Sequence, residues 1–342
     1  MSVAGRKTKN LWWIAAAASL VVAIVLGVSL WSYTSTPSEE VRLRNALVWS
    51  PEPGATFDWP GDAPPDWFSV ETRAPDTDYA VAADGLGLGP LPSDVARATA
   101  IAKHLLKHPA SGRGDPISSD LPTTYRLIRS QGKGYCGDFN RAFTGLALAG
   151  GLPVRSWAFS FDGYGGHGHV FNEFWDRAAR RWRMVDVFMN FFPTRDDGSV
   201  LSALEFRDAL LQGRTDFTYR RISDMISQPY ETDAEMSAYF RRGLGEWFLL
   251  KGNTVFSADG HPLVWMARPF GRAVAQTVAC IVGAQPAVCP IESSDNAAAR
   301  ERMSELHRRL WGLISASAFA GIFFIVGWMR RKPGRFNEPA RL

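Results

Sequence analysis

Several signatures of common functional sites are missing from this chain of 342 residues. It has no glycine-rich phosphate loop and no dinucleotide fingerprint, which argues against nucleotide chemistry. It also lacks the CxxC and HExxH spacings of zinc sites, although four residues are of types that bind zinc. These four are Cys136, His167, His169 and Asp186. We therefore expect neither a metal nor an organic cofactor.

The middle of the chain has no excess of basic residues. The head, residues 1–10, carries three positive charges, and the tail beyond Met329 has five basic residues and one acidic residue. Since the whole chain has a net charge of +4, the remaining segment has a net charge of −3. A mildly acidic domain does not attract polyanions, so we expect no nucleic-acid partner. The basic ends suit anionic lipid.

Two uncharged apolar runs, residues 11–31 and 310–329, stand out in a chain with 46% hydrophobic residues. Each has about the 20 residues that a helix needs to cross a bilayer, and each has tryptophan near its ends. A cleaved signal peptide is the alternative for the first run, but no clear cleavage site follows it. A buried core helix is the alternative for the second. We predict two transmembrane helices, with the lipid bilayer as a partner.

The flanking charges predict the orientation of these two helices. Lysine and arginine are concentrated in residues 1–10 and 330–342, which the positive-inside tendency places in the cytoplasm. The main domain, residues 41–293, then lies on the extracytoplasmic or periplasmic side of the inner membrane. Arginines in the predicted helical stalk, residues 296–309, are a signal in the opposite direction.

Local patterns predict the elements of this domain. Residues 32–40 resemble a polar linker, and residues 41–92, rich in proline, glycine and aromatics, are expected to form loops and short strands. Helices are predicted after Ser93, over 121–131 and from Cys136 to the glycine pair at 150–151. Residues 152–161 alternate as a strand does, and 168–175 and 182–192 predict a hairpin. Residues 202–213 and 232–252 are expected to be helical.

Cys136 has the predicted placement of a nucleophile. A helix N-terminus favours negative charge, which lowers a thiol pKa, and its free N–H groups can face a developing oxyanion. Such a thiol also needs a histidine base and a third group that orients the histidine. His169 is predicted on one strand of the hairpin and Asp186 on its partner strand, so that the three can form a triad. His167 is the rival base, but the strand pattern favours His169.

Four segments together resemble the transglutaminase-like superfamily. They are 134–139 (GYCGDF), 151–155 (GLPVR), 168–173 (GHVFNE) and 182–186 (WRMVD). The resemblance implies an α+β fold of the cysteine-protease and transglutaminase type, with Cys136 as nucleophile, His169 as base and Asp186 as orienting acid. Phe171, Val187 and Asn140 depart from residues common in that family, which leaves the substrate preference open.

Other residues are candidates for the surroundings of the site. Gln131 lies five residues before Cys136, and papain-like enzymes use an upstream glutamine as an oxyanion donor; a solvated helix-end residue is the alternative. Tyr135 and Trp157 are candidates for lining the cleft, with a core position as the alternative. His167 is expected in a loop beside it. Glu173 is expected to be a structural partner more than an acid.

Cys280 and Cys289 are separate from this constellation. They are nine positions apart across a turn-like segment, so that they can form a disulfide in an oxidising compartment, with two buried free thiols as the alternative.

These features predict a membrane-anchored, thiol-dependent amide hydrolase or acyl transferase. Its substrate would be a protein or peptide amide, and whether water or an amine resolves the thioester is left open. The second hypothesis is a non-catalytic scaffold, in which the same fold presents a binding cleft to an envelope assembly.

Overall fold

A computed structural model describes residues 3–108, 114–115, 120–226 and 229–331, and within these ranges it is built of helices and antiparallel strands. The helices are α1 (Val3–Leu30), α2 (Pro37–Leu47), α3 (Thr77–Gly85), α4 (Asp94–Leu105), α5 (Leu121–Gln131), α6 (Cys136–Ala149), α7 (Ala203–Leu211), α8 (Asp233–Arg241), α9 (Val255–Asp259), α10 (Pro262–Ala267), α11 (Arg272–Ile281) and α12 (Ala297–Arg331). The strands are β1 (Val154–Ser160), β2 (Gly168–Asp176), β3 (Arg181–Val185), β4 (Phe191–Arg195), β5 (Phe217–Arg221), β6 (Trp247–Leu250) and β7 (Val288–Pro290).

Five of the strands form one antiparallel sheet in the order β3-β2-β1-β6-β7, and β4 pairs with β5 separately. One face of the larger sheet is covered by α6, whose Phe143 and Leu146 share a buried cluster with Val154 and Phe174. The other face carries an aromatic cluster that includes Trp157 and Phe171. The expectation of an α+β fold, with the helix that carries Cys136 packed on an antiparallel sheet, is therefore confirmed.

Local capping explains the helices that precede the sheet. The Ser93 hydroxyl accepts a hydrogen bond from the N–H of Ala96 at the start of α4, and the Asp120 carboxylate does the same for Thr123 at the start of α5. Each cap satisfies a backbone donor that the helix itself leaves free. Gly132 then ends α5 in the left-handed conformation that glycine adopts without strain.

Some of the element predictions are wrong. The predicted polar linker and the start of the predicted loop region are helical, because Thr36 caps α2, and α3 forms further along the same region. Residues 247–250, predicted as helix, form β6, which lies inside the sheet because Trp247 and Leu249 pair with Phe159 and Trp157 of β1. A run of four apolar residues suits either element, and strand pairing decides between them.

The two long terminal helices, α1 and α12, pack against each other in antiparallel fashion. Trp12 contacts Phe323 and Trp13 contacts Phe324, with ring centroids 5.9 and 5.2 Å apart. The segments Leu11–Thr34 and Ala297–Arg330 are long and apolar enough to cross a membrane. The start of α1 therefore lies beside the end of α12.

The base of this helix pair is joined to the domain through α2. His307 Nδ1 lies 2.8 Å from the carbonyl oxygen of Ala46, and the Trp311 indole N–H donates to the carbonyl of Leu47 at 3.1 Å. The predicted stalk and the second apolar run are thus parts of one continuous helix, α12, and the stalk part is packed on the domain.

Candidate active site

Cys136 is the first residue of α6 and is half-buried. The chain enters this helix through Gly134, whose φ of 140° is rarely adopted by residues with a side chain. The Asp138 carboxylate accepts a hydrogen bond of 2.9 Å from the backbone N–H of Tyr135, which closes the first turn. The thiol therefore starts a well-capped helix, where unpaired N–H groups favour a thiolate.

His169 and Asp186 form a buried pair. Nε2 of His169 lies 2.5 Å from Oδ2 of Asp186, and each side chain is 1% exposed. The imidazole also interacts with the Cys136 thiol, so that one ring links the sulfur and the carboxylate. The structure thus brings together the three side chains that the sequence analysis grouped.

The surroundings of His169 act on its pKa in opposite directions. Burial is the largest effect and disfavours the imidazolium, but the charge and hydrogen bond of Asp186, assisted by Cys136, outweigh it. Together they raise the pKa of His169 to about 10. This arrangement favours a protonated imidazole beside the Cys136 sulfur at neutral pH.

Asp186 does not lie on the strand that was predicted to hold it. β3 ends at Val185, and Asp186 forms an isolated bridge with Phe191, the first residue of β4. Its Oδ1 accepts a hydrogen bond of 2.9 Å from the N–H of Met189 in the intervening turn. In that turn Asn190 has a φ of 62° and donates to the carbonyl of Ser223 at 2.7 Å. The Asp186 carboxylate is therefore oriented by a hydrogen-bonded turn and not by a strand.

Aromatic rings enclose the imidazole of His169. Their centroids lie within 6.2 Å of that of the imidazole, and they belong to Phe159, Phe171, Phe188, Tyr239 and Phe240. This wall limits the access of water and strengthens the attraction between His169 and Asp186.

Tyr239, on α8, is a site residue that the sequence analysis missed. Burial and the charges of Cys136 and Asp186 raise the pKa of its hydroxyl, which places it within electrostatic reach of both groups. No sequence motif identifies Tyr239 as a site residue, because it lies about a hundred positions after Cys136 in an ordinary amphipathic helix.

Glu173, two positions after Phe171, has a structural role. Its carboxylate is completely buried and accepts hydrogen bonds from the Arg155 guanidinium at 2.7 Å, the Trp157 indole at 2.5 Å and the N–H of Ala203 at 2.5 Å. Trp157 is likewise fully buried. Of the two alternatives for Trp157, the structure therefore has the core position, in which the indole N–H donates to Glu173.

The other candidate residues lie around the site at different depths. Gln131 is the exposed last residue of α5, and Tyr135 is the half-buried residue directly before Cys136. His167 is exposed in the loop before β2, where its Nδ1 lies 3.0 Å from Oδ2 of Asp162. It is thus His169, and not His167, that lies beside Asp186.

Cys280 and Cys289 are both free and buried. Cys280 packs with the α2 and α12 residues of one cluster, whereas Cys289, on β7, packs in the aromatic cluster of the sheet. Of the two alternatives, the structure therefore has two buried free thiols, because each thiol packs in a different part of the core. Burial raises the pKa of Cys280 to about 11 and also raises that of Cys289, which makes both poor nucleophiles.

Comparison with known proteins gives one family. Residues 87–187 match the family model of the transglutaminase-like superfamily, which confirms the resemblance drawn from the motifs. The match covers under a third of the chain, includes Cys136 and His169, and ends one residue after Asp186. A search of curated proteins and a search of solved structures found no match to the chain.

Proposed function

With the transglutaminase-like core of residues 87–187 as the premise, we propose that this chain is a thiol-dependent amide hydrolase or acyl transferase. The observation that carries the proposal is the single imidazole of His169, which lies 2.5 Å from the Asp186 carboxylate and also interacts with the Cys136 thiol. A nucleophile, a base and an orienting group in contact are the arrangement that covalent acyl transfer requires.

In the first step, the Cys136 thiolate attacks the carbonyl carbon of an amide, and a C–S bond forms. The His169 imidazolium gives its proton to the leaving nitrogen as the C–N bond breaks, which releases an amine or ammonia and leaves a thioester. Asp186 stays ionised and holds the ring in position. The neutral imidazole then takes a proton from water or from a second amine, which attacks the thioester and releases the Cys136 thiolate.

The start of α6 is suited to the charge that develops on the carbonyl oxygen. The first N–H groups of a helix have no partner within the helix, and the N–H of Cys136 is one of them. Donors that are already oriented toward the oxyanion lower the barrier without reorganisation, and one such donor is worth about 3–4 kcal/mol.

Membrane attachment is the second part of the proposal. In this proposal α1 and α12 cross the bilayer as an antiparallel pair, and the Trp12–Phe323 contact between the two ends supports placing both termini on one side. The basic residues of the head and the tail then lie in the cytoplasm, and the catalytic domain acts on amides in the extracytoplasmic space.

The reactivity of the thiol provides the first test, with the full chain in detergent and iodoacetamide at pH 6. We expect Cys136 to be alkylated at least about tenfold faster than a free thiol, because the His169 imidazole beside it is protonated at that pH. Cys280 and Cys289 are internal controls and should stay unlabelled while the chain is folded. Replacing His169 by Gln or Asp186 by Asn should lower the alkylation rate of Cys136 to that of a free thiol.

The matched control is His167→Gln, since this exposed histidine lies two positions from His169 and contacts Asp162 instead of Asp186. It should leave the alkylation rate unchanged. Turnover is then tested with glutamine-containing peptides by ammonia release and by incorporation of a labelled primary amine, which separates hydrolysis from transfer. A Cys136 that reacts no faster than a free thiol, together with no turnover, would contradict the proposal and favour a binding scaffold.

A further inference from the structure

Large apolar side chains are exposed on α10, α11 and the 3₁₀ turn Arg268–Phe270 between them, three elements that contact one another. Phe270 is 76% exposed and Trp265 is 66% exposed, which is unusual for side chains of this size. We call this surface the α10–α11 patch; its residues are Leu263, Trp265, Met266, Phe270, Val274 and Ile281.

The charges of this segment are of one sign. Between Asp259 and Glu292 the sequence has no acidic residue and two arginines, Arg268, which is ion-paired with Asp259 at 2.9 Å, and Arg272. Apolar and aromatic side chains accompanied by basic residues alone are typical of segments that lie on anionic lipid surfaces.

The position of α11 relates the patch to the two long helices. Cys280, near the end of α11, is buried in the same cluster as Leu30, the last residue of α1, and Leu310 of α12. Leu310 is also the first residue of the second apolar run. In addition, α11 contacts α2, and α2 contacts both α12 and the 3₁₀ turn Trp31–Thr34 that follows α1. The end of α11 therefore lies on the side of the domain from which both candidate spans extend.

We propose that the α10–α11 patch is a third membrane contact, which lies in the boundary between headgroups and acyl chains beside the two spans. The inference rests on the proposed spanning of α1 and α12 and is independent of the thiol chemistry. A side-on contact next to two spans restricts how the domain tilts on the bilayer, and so it fixes the direction in which the active site faces.

A lipid surface fits these observations better than a second copy of the chain. The patch is linked to the base of the candidate spans through α2 and through the buried cluster that contains Cys280 and Leu310, so that a bilayer that holds the spans comes close to it. The absence of acidic side chains matches an anionic leaflet, whereas nothing in this basic segment supplies the opposite charge for a copy of itself.

The test uses the full chain with Cys136→Ser, reconstituted into vesicles of phosphatidylcholine and phosphatidylglycerol. One cysteine is introduced by Phe270→Cys and labelled with an environment-sensitive fluorophore, and its quenching is measured with lipids spin-labelled near the headgroup or near the chain end. We expect quenching mainly by the headgroup-proximal label, at a depth of about 5–10 Å. Trp265→Cys provides a second position in the same patch, in case one variant fails to fold.

Two further positions are the controls. Val81→Cys on α3 replaces an equally exposed apolar residue outside the patch and should not be quenched by either lipid. Val21→Cys, near the middle of α1, should be quenched mainly by the deep label if α1 spans the bilayer.

The outcomes separate the two proposals. Quenching at position 21 without quenching at positions 265 and 270 would overturn the third contact and leave the spans intact, and loss of quenching at all three would overturn both. Fluorescence that is shielded from water at position 270 but insensitive to the lipid quenchers would point to a protein partner and would also overturn the third contact.

Discussion

The ring of Tyr239 lies 6.1 Å from the imidazole of His169 and crosses it at 74°. Tyr239 lies on α8, whereas His169 is the second residue of β2. This contact therefore adds to the aromatic wall a side chain from outside the segments that hold Cys136, His169 and Asp186. The tyrosine is also partly exposed and lies within electrostatic reach of Cys136 and Asp186. Its ring is therefore a partly exposed member of the aromatic wall around the imidazole.

Replacing Tyr239 by Ala should let water reach the His169 ring. Water weakens the attraction that raises the pKa of His169 above its ordinary value, and the pKa should move down toward 6.5. The measurement is the alkylation rate of Cys136 against pH, in which the limb assigned to loss of the imidazolium proton should shift to lower pH.

Tyr230→Ala is the matched control for this change. Tyr230 packs on Tyr239 with ring centroids 5.4 Å apart but does not form part of the wall described around His169. In this variant the dependence of the Cys136 alkylation rate on pH should not shift. Equal shifts in both variants would mean that general loosening of α8, and not access of water to the imidazole, explains the effect.

Gly134→Ala should destabilise the turn that leads into α6. Its φ of 140° disfavours a side chain, and a Cβ there would lie 3.1 Å from the Cβ of Asp138. We expect a loss of about 1–3 kcal/mol in the free energy of unfolding, measured by thermal unfolding in detergent. Gly137→Ala, three residues on in the helix, meets no atom within 4 Å and should be neutral or stabilising by up to about 1 kcal/mol. Equal losses in the two variants would refute the assignment of strain to Gly134.

Glu173→Gln should be strongly destabilising although it changes few atoms. The Arg155 guanidinium, 1% exposed, would lose the carboxylate that neutralises it. Breaking one side of a buried ion pair costs about 3–5 kcal/mol, because the remaining charge stays buried without a partner. Glu301→Gln, in an ion pair with Arg308 that is exposed on both sides, should change stability by less than about 1 kcal/mol. A small effect at Glu173 in thermal unfolding would show that the buried pair is not essential to the fold.

The pKa of His169 also predicts a dependence of stability on pH. In the folded chain this pKa is about 10, against an ordinary value of 6.5, so that the folded chain binds more protons than the unfolded chain between these values. The stabilisation is therefore complete below about 6.5 and is lost as pH rises through about 10, with a slope of at most about 1.4 kcal/mol per pH unit.

Thermal unfolding of the wild type and of His169→Gln across this window provides the measurement. The difference between the two should shrink as pH rises. His104, whose pKa is lowered to about 4 by burial and by Arg129, acts below this window and does not confuse the comparison. A difference that stays constant from pH 6 to pH 10 would contradict the protonated state assigned to His169.

Short-range signals were sufficient for much of the fold. A capping residue and the backbone N–H group that it binds lie within one helical turn of each other. The starts of α4, α5 and α6 could therefore be predicted from Ser93, Asp120 and the glycines before Cys136. The alternating residue pattern of β1 and the hairpin formed by β2 and β3 also depend on residues that are close together in the sequence. The sequence order of Cys136, His169 and Asp186 on a helix and a hairpin was therefore enough to group them.

Local sequence patterns account for the elements whose hydrogen bonds join residues close together in the chain, for the two apolar runs and for the chemistry of the three grouped side chains. The tertiary structure alone decided that residues 247–250 pair with β1, that Trp157 binds Glu173 in the core, that Cys280 and Cys289 stay apart, and that Tyr239 covers His169. Each of these depends on which distant segment a side chain meets, or on whether it meets one at all. Contacts between distant segments depend on the packing of the whole domain and cannot be predicted from a local sequence pattern.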